Sequence, residues 1–96
     1  MLFTVICHDK PGCLALRQQV REAHLAYVGQ FAAGFALAGP LLDPAGQPCG
    51  SLLVLDCADR AAAEAFAAGD PYGQAGLFGS VEINGFRVVL RDGGFA

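Results

Sequence analysis

Hydrophobic and polar positions follow two different periods along the chain, and the changes of period divide it into elements. Leu2 to Cys7 is a compact apolar run, short enough for a buried strand, and Asp9-Lys10-Pro11-Gly12 ends it. From Cys13 to about Ala33, apolar residues recur at the spacing of one helical face. The members of this face are Leu16, Val20, Ala23, Tyr27 and Phe31. We therefore predict a strand followed by an amphipathic helix of about five turns.

Two further strands and a short helix are predicted in the middle of the chain. Phe35 to Leu42 reads as a strand, and its Gly39-Pro40 pair puts it at a sheet edge or at a bulge, because proline cannot donate to a strand ladder. Ser51 to Asp56 is continuously apolar, which indicates a strand with both faces covered. Asp59 suits the N-cap of a helix from Arg60 to Ala68.

The last predicted element completes a known arrangement. Ser80 to Leu90 alternates around apolar residues and is predicted as the fourth strand. The order β-α-β-β-α-β is that of the ferredoxin-like unit. The expected fold class is therefore α+β, with a four-stranded antiparallel sheet and two helices on one face. The other face of such a sheet is left bare.

The composition indicates what covers that bare face. Of 96 residues, 54% are hydrophobic before the 13 glycines are counted, against an average of about 45–50% with glycine included. A chain this short buries a modest share of its surface on folding. We therefore expect a homodimer, formed through the open sheet face around Phe35 and Leu37.

Charge and targeting patterns exclude several classes of partner. Six basic against nine acidic residues give a net charge of −3, and the basic residues are scattered. Nucleic-acid binding needs clustered cations, so it is not expected. The N-terminal apolar run lacks the features of a signal peptide, and the longest apolar stretch, Phe31 to Leu42, is too short to span a bilayer. We expect a cytoplasmic protein without membrane or nucleic-acid partners.

The four cysteines, Cys7, Cys13, Cys49 and Cys57, form no C-x-x-C pair and have no zinc spacing, so we expect reduced thiols. Cys7 and Cys57 both end strands that we expect to be parallel neighbours. The run Cys7-His8-Asp9 does not favour a metal site, because successive strand residues point to opposite faces. Neither a metal nor a cofactor is expected.

Four residues are candidates for chemistry. His24 lies at the edge of the apolar helical face, where a part-buried imidazole suits a general acid or base; the alternative is a boundary histidine that only packs. Asp70 precedes Pro71 as an N-cap would, or it orients His24. Arg17, on the same side of the helix, is a candidate anion anchor. The Ser51 hydroxyl follows Gly50 and could face a pocket, although serines at loop ends are common.

These segments together resemble the YciI-like (YCII-related) family, whose members belong to the dimeric α+β barrel group. The resemblance runs nearly end to end and treats residues 1–96 as a single domain. The helix histidine and the Asp-Pro-Tyr segment are its most specific marks. The segments that carry it are Asp9-Lys10, Arg21 to Tyr27, Ala38 to Pro40, Gly50-Ser51, Gly69 to Tyr72 and Ala75 to Leu77.

The resemblance implies a homodimer with a pocket beside the sheet that contains a histidine–aspartate pair. His24 and Asp70 match those positions, and Ser51 matches a serine often placed near them. Some relatives belong to pathways that degrade substituted aromatic compounds. The resemblance therefore favours an enzyme that moves a proton on a small anionic or aromatic molecule, as a lyase, an isomerase or a dehalogenating elimination. A non-catalytic metabolite-binding module and a structural accessory domain are the alternatives.

Overall fold

The chain follows the β-α-β-β-α-β order that its hydrophobic pattern predicts, with three short additions. The computed structural model describes residues 1–96. The main elements are β1 (Leu2–Asp9), α1 (Leu14–Gly29), β2 (Phe35–Leu42), β3 (Pro48–Asp56), α2 (Arg60–Gly69) and β4 (Phe78–Phe86). The additions are a 3₁₀ turn at Ala32–Gly34, the one-turn helix α3 (Pro71–Gln74) and a C-terminal hairpin of β5 (Leu90–Arg91) and β6 (Gly94–Phe95).

The four long strands form one sheet in the order β2-β3-β1-β4, and every neighbouring pair is antiparallel. The central strand β1 pairs with β3 on one side and with β4 on the other. The predicted ferredoxin-like α+β fold is confirmed. Its layers place both longer helices on the same face of the sheet.

The core lies between that face and the helices. Val5 and Cys7 of β1 and Leu53 and Leu55 of β3 point into it, and Phe66 of α2 packs on them. The Phe66 ring lies 5.3 Å from each of three aromatic rings, and these belong to Tyr27, Phe31 and Phe35. Because strand residues alternate between faces, Thr4, Ile6, Leu52 and Leu37 lie on the opposite face, where Leu37 is 63% exposed.

The strand that contains Gly39-Pro40 lies at the sheet edge, as predicted. Pro40 is paired with Ser51 of β3, and the register shifts near both ends of β2. Next to Ser51, Gly50 is required for a close approach, since a side chain there would run into the backbone oxygen of Cys7 on β1. This approach brings the Ser51 hydroxyl onto the helix-covered face beside Cys7.

The long helix is shorter than predicted, and its buried face is different. It ends at Gly29 instead of near Ala33, because the amides of Gln30 and Phe31 form tight i→i+3 bonds to Tyr27 and Val28. The resulting turn lets the Phe31 ring reach Phe66. The predicted apolar face is only partly right: Ala23 is exposed, and the one fully buried residue of α1 is Arg17.

The fourth strand also differs from its prediction, since it covers Phe78–Phe86 instead of Ser80 to Leu90. Leu90 belongs to the C-terminal hairpin. Asp92 and Gly93 form its turn with φ values of 51° and 80°. Two positive φ values in succession are typical of the tight turns that join antiparallel strands. The apolar alternation therefore continued past the point where the chain leaves the sheet.

The expectation that Cys7 and Cys57 end parallel neighbouring strands is wrong. Because β1 and β3 are antiparallel, Cys7 is paired with Ser51, near the start of β3, while Cys57 follows its end. The Cys57 amide donates instead to the backbone oxygen of Met1, at the other end of β1. All four cysteines are free thiols. None of the helices has the length and apolar character needed to cross a membrane.

Candidate functional site

Asp70 connects the loop after α2 to the long helix. It caps α3, which begins with Pro71, and its Oδ1 accepts a hydrogen bond of 3.0 Å from the amide of Tyr72. The same oxygen lies 2.8 Å from Nδ1 of His24 on α1. The carboxylate is almost completely buried. The N-cap prediction is therefore confirmed, and capping and contact with His24 coexist in one side chain.

This contact determines the state of the His24 ring. An ionised carboxylate only accepts hydrogen bonds, so Nδ1 of His24 carries the proton that it donates to Asp70. The other ring nitrogen, Nε2, is then free of hydrogen in the neutral imidazole and can accept a proton. The His24 side chain is 12% exposed, and it lines a pocket. The arrangement can therefore act as a general base.

Tyr72 is the buried platform of the site. Its ring stacks on the His24 ring with centroids 4.0 Å apart and an interplanar angle of 18°. The guanidinium carbon of Arg17 lies 4.5 Å from the centroid of the same ring. Burial raises the pKa of Tyr72 although the charges of Arg17 and Arg21 act in the opposite direction, so the phenol stays neutral at ordinary pH.

A buried ion pair holds Arg17 in place. Nε and Nη2 of Arg17 donate hydrogen bonds of 2.7 and 2.9 Å to the two carboxylate oxygens of Asp9, and both side chains are only 6% exposed. Burial alone would lower the pKa of Arg17, but the hydrogen bonds and charge of Asp9 outweigh it and raise that pKa. Nη2 also donates to Oγ of Ser51 at 3.0 Å.

These contacts bring all four predicted site residues together: Arg17, Ser51 and His24 line the pocket, and Asp70 contacts His24. His24 and Asp70 form a pair, and Arg17 and Ser51 form another. Sequence reasoning assigned no role to Asp9 or Tyr72. No local signal pointed to Asp9, because its role follows from the burial of Arg17, which the helical pattern does not predict. Tyr72 was noted only as part of the Asp-Pro-Tyr segment.

The pocket lies between α1 and the β2–β3 edge of the sheet and has a volume of about 320 Å³. Helix α1 and the strands provide an apolar wall, and Tyr72, Ser51, His24 and Arg17 provide the polar end. The apolar wall consists of Leu25, Val28, Ala38, Pro40, Pro48 and Leu53. A mostly apolar cleft with a few convergent polar groups is typical of a small-molecule site. No cluster of three or more His, Cys, Asp or Glu side chains is placed to hold a metal ion.

Comparison with known proteins agrees with this description. The family model of the YCII-related domain matches residues 1–87. An uncharacterized protein of Haemophilus influenzae is 33% identical over 98 residues, which cover 94% of this chain and all of that protein. The chain belongs to the YCII-related domain family.

A solved member of similar structure has a named activity. It is the 5-chloro-2-hydroxyhydroquinone dehydrochlorinase TftG of Burkholderia phenoliruptrix AC1100, in complex with 2,5-dihydroxybenzoquinone. Its sequence is 29% identical, and the superposition has a TM-score of 0.86. The match covers 92% of this chain and 95% of TftG.

The buried ion pair predicts a large stability difference between two aspartate variants. Asp9→Asn leaves the Arg17 charge buried without a carboxylate and should lower the free energy of unfolding by about 3–5 kcal/mol. Asp56→Asn is the matched control, because Asp56 is 65% exposed and pairs with the N-terminal amine; its loss should be at most about 1 kcal/mol. Urea denaturation measures both. Similar small losses for the two variants would contradict the structural importance of the buried pair.

The buried thiol predicts a specific alkaline instability. Burial, with a contribution from the Asp70 charge, raises the pKa of Cys7 from 9.0 to about 12. The raised pKa means that Cys7 stabilises the fold fully below about pH 9 and loses this contribution as the pH rises towards 12. Between about pH 8.5 and 10.5 the Tm of the wild type should therefore fall more steeply than that of Cys7→Ala. Thermal unfolding scans test this, and parallel Tm profiles would refute it.

Proposed function

We propose that the protein is an enzyme that transfers a proton on a small anionic or aromatic molecule, with His24 as the acid–base group. The observation that carries the proposal is the 2.8 Å contact between Nδ1 of His24 and the buried Asp70 carboxylate at the wall of the pocket. The contact leaves Nε2 as the nitrogen available to a ligand. A base held in one tautomer by a buried carboxylate is a recurrent catalytic arrangement.

The surroundings of His24 support the charged form that proton transfer creates. When Nε2 takes a proton, the imidazolium is paired with the negative Asp70 carboxylate. The stacked Tyr72 ring adds an attractive face for the cation. The Tyr72 ring belongs to α3, and Asp70 holds α3 in place by capping it. His24 therefore changes charge without a change in its position.

Ser51 supplies the second contact for a substrate. Its oxygen already accepts a hydrogen bond from Nη2 of Arg17. A hydroxyl is also a donor, so its hydrogen remains for an oxygen atom of the substrate. We assign Ser51 to substrate binding, with Arg17 behind it as the group that orients the hydroxyl. The hydrogen bond from Arg17 also polarises the Ser51 hydroxyl, which strengthens it as a donor.

These roles suit reactions that need one base and no cofactor. In a dehalogenating elimination, His24 removes a proton from the substrate. The electron pair of the broken bond to hydrogen forms a new double bond, and the halide leaves with the electrons of the carbon–halogen bond. Lyase and isomerase reactions use the same first step. The name of TftG, a dehydrochlorinase, supports this class.

The test compares the two histidines of the chain. With chlorinated hydroxyhydroquinones, including the 5-chloro-2-hydroxy compound in the name of TftG, chloride release should be observed. His24→Gln should lower kcat/KM by about 10²–10⁴-fold, because the transferable proton site is lost. His8→Gln, at the exposed end of β1, should leave it unchanged.

Two results would contradict the proposal. Unchanged kcat/KM in His24→Gln would remove His24 from the mechanism. A ring compound that raises the Tm and is recovered unchanged after long incubation, with no turnover of any compound tested, would favour the non-catalytic binding module.

We further propose that residues 1–96 act as a single-domain, cytoplasmic homodimer that associates through the open sheet face. Support comes from the exposed apolar side chains on that face, which include Leu37 and Phe86. Burying such a face stabilises a dimer by about 25 cal/mol per Å² of apolar surface before the entropic cost of association.

A pair of lysine variants tests the dimer. Leu37→Lys should yield a monomer in light scattering at micromolar concentration, because a charge would be buried at the interface. Ala26→Lys, on the exposed side of α1, adds the same charge to the helix layer and should remain a dimer. A wild-type protein that is monomeric throughout a dilution series would refute the proposal.

A further inference from the structure

Two arginines one turn apart on α1 have opposite surroundings. Arg17 is buried, and its charge is offset by the bidentate contact with Asp9. Arg21 is exposed, forms no ion pair and lines the pocket beside His24. Of the two, only Arg21 has its charge available to a ligand.

The charges around the pocket make Arg21 important for binding an anion. The pocket wall contains Arg17, Arg21 and His24 but no aspartate or glutamate. Behind the wall, the Asp9 carboxylate offsets Arg17. While His24 is neutral, the formal charges of Arg17, Arg21, Asp9 and the buried Asp70 sum to zero. Without Arg21 the site would carry a net negative charge, in a protein whose net charge is already −3.

The helix spacing makes Arg21 and His24 neighbours, and the pocket volume limits the size of the anion. Arg21 and His24 are three residues apart on α1, so their Cβ atoms are about 5–6 Å apart. Both side chains line the same pocket, so a ring with an anionic oxygen at one end can place that oxygen on the Arg21 guanidinium and its other end at His24. The apolar wall beside them includes Leu25, Val28 and Pro40. The volume of about 320 Å³ is at the lower end of the range for ligand pockets.

We propose that Arg21 is the residue that selects the substrate charge, and that the pocket binds a monocyclic organic anion with its carboxylate, phenolate or enolate oxygen on the Arg21 guanidinium. This inference rests on the proposed function only in that the pocket is the active site. It transfers the role of anion anchor from Arg17 to Arg21. A guanidinium suits the role because its planar donors match two oxygens of an anion.

The experiment measures binding of two rings of similar size by isothermal titration calorimetry. The first is 2,5-dihydroxybenzoquinone, which is an anion at neutral pH because its hydroxyls are vinylogous carboxylic acids; the second is hydroquinone, which is neutral. Arg21→Gln should weaken binding of the anion about tenfold and leave binding of hydroquinone unchanged. Arg21→Lys keeps the charge but loses the planar donors, so its loss should be smaller.

Arg60→Gln is the matched control. It removes the same charge from the protein, but Arg60 is exposed on α2 and pairs with Glu64. It should bind both rings as the wild type does. Three results would overturn the proposal: wild-type affinity of Arg21→Gln for the anion, an equal loss in Arg60→Gln, or no binding of the anion to the wild type.

The outcome is independent of the test of His24. If Arg21→Gln loses affinity for the anion while His24→Gln retains turnover, the proposed role of Arg21 is supported and the proton-transfer mechanism is contradicted. If Arg21→Gln binds the anion normally while His24→Gln is inactive, the proton-transfer mechanism is supported and the proposed role of Arg21 is contradicted.

Discussion

The site depends on one carboxylate oxygen, Oδ1 of Asp70. It satisfies the first free amide of α3 and, at the same time, the Nδ1 proton of His24 on α1. A helix of one turn has almost no stability of its own, because helix nucleation is unfavourable. The cap therefore holds Tyr72 in position, and Tyr72 in turn holds the His24 ring by stacking. Loss of this oxygen would release both contacts.

The second buried carboxylate, Asp9, has the equivalent role for Arg17. Between them, the two aspartates allow a histidine and an arginine to lie on the buried side of a helix in a small apolar protein. The desolvation of these groups is compensated throughout, since no buried side-chain nitrogen or oxygen lacks a hydrogen-bond partner. The sheet contributes through Gly50, which permits the close strand approach that places Ser51 within reach of Arg17. The pocket is thus built from the same contacts that complete the core.

Much of this fold could be predicted from the sequence, because strand and helix periods are local properties. The order of the elements along the chain, the edge position of Pro40 and the N-caps Asp59 and Asp70 follow from short-range rules. The buried face of α1 could not be predicted in this way. On a helical wheel, Arg17 lies at the boundary between the apolar and polar faces, and a charged residue at that place is expected to be exposed. Contacts with Asp9 and Tyr72, which lie outside the helix, make the burial of Arg17 favourable. The periodic pattern of the helix carries no information about these contacts.

The candidate site shows the same division between local and long-range information. His24 and Asp70 were identified by residue type and by family resemblance, but their 2.8 Å contact is produced by the packing of α1 against α3. The difference between Arg17 and Arg21 is likewise a tertiary effect, because both residues occupy similar positions on one helix. The sequence pattern indicates which residues are able to carry chemistry. The tertiary contacts of each residue determine which chemical role it can have.

The central claim, that Asp70 holds His24 as a base with Nε2 free, is tested most directly by the tautomer of the His24 ring. Nitrogen-15 NMR of the neutral imidazole distinguishes a protonated Nδ1 from a protonated Nε2. In the wild type we expect hydrogen on Nδ1 and none on Nε2, whereas Asp70→Ala, which removes the oxygen that accepts from Nδ1, should allow hydrogen on Nε2. A wild-type ring with hydrogen on Nε2, or identical spectra for the two proteins, would contradict the account.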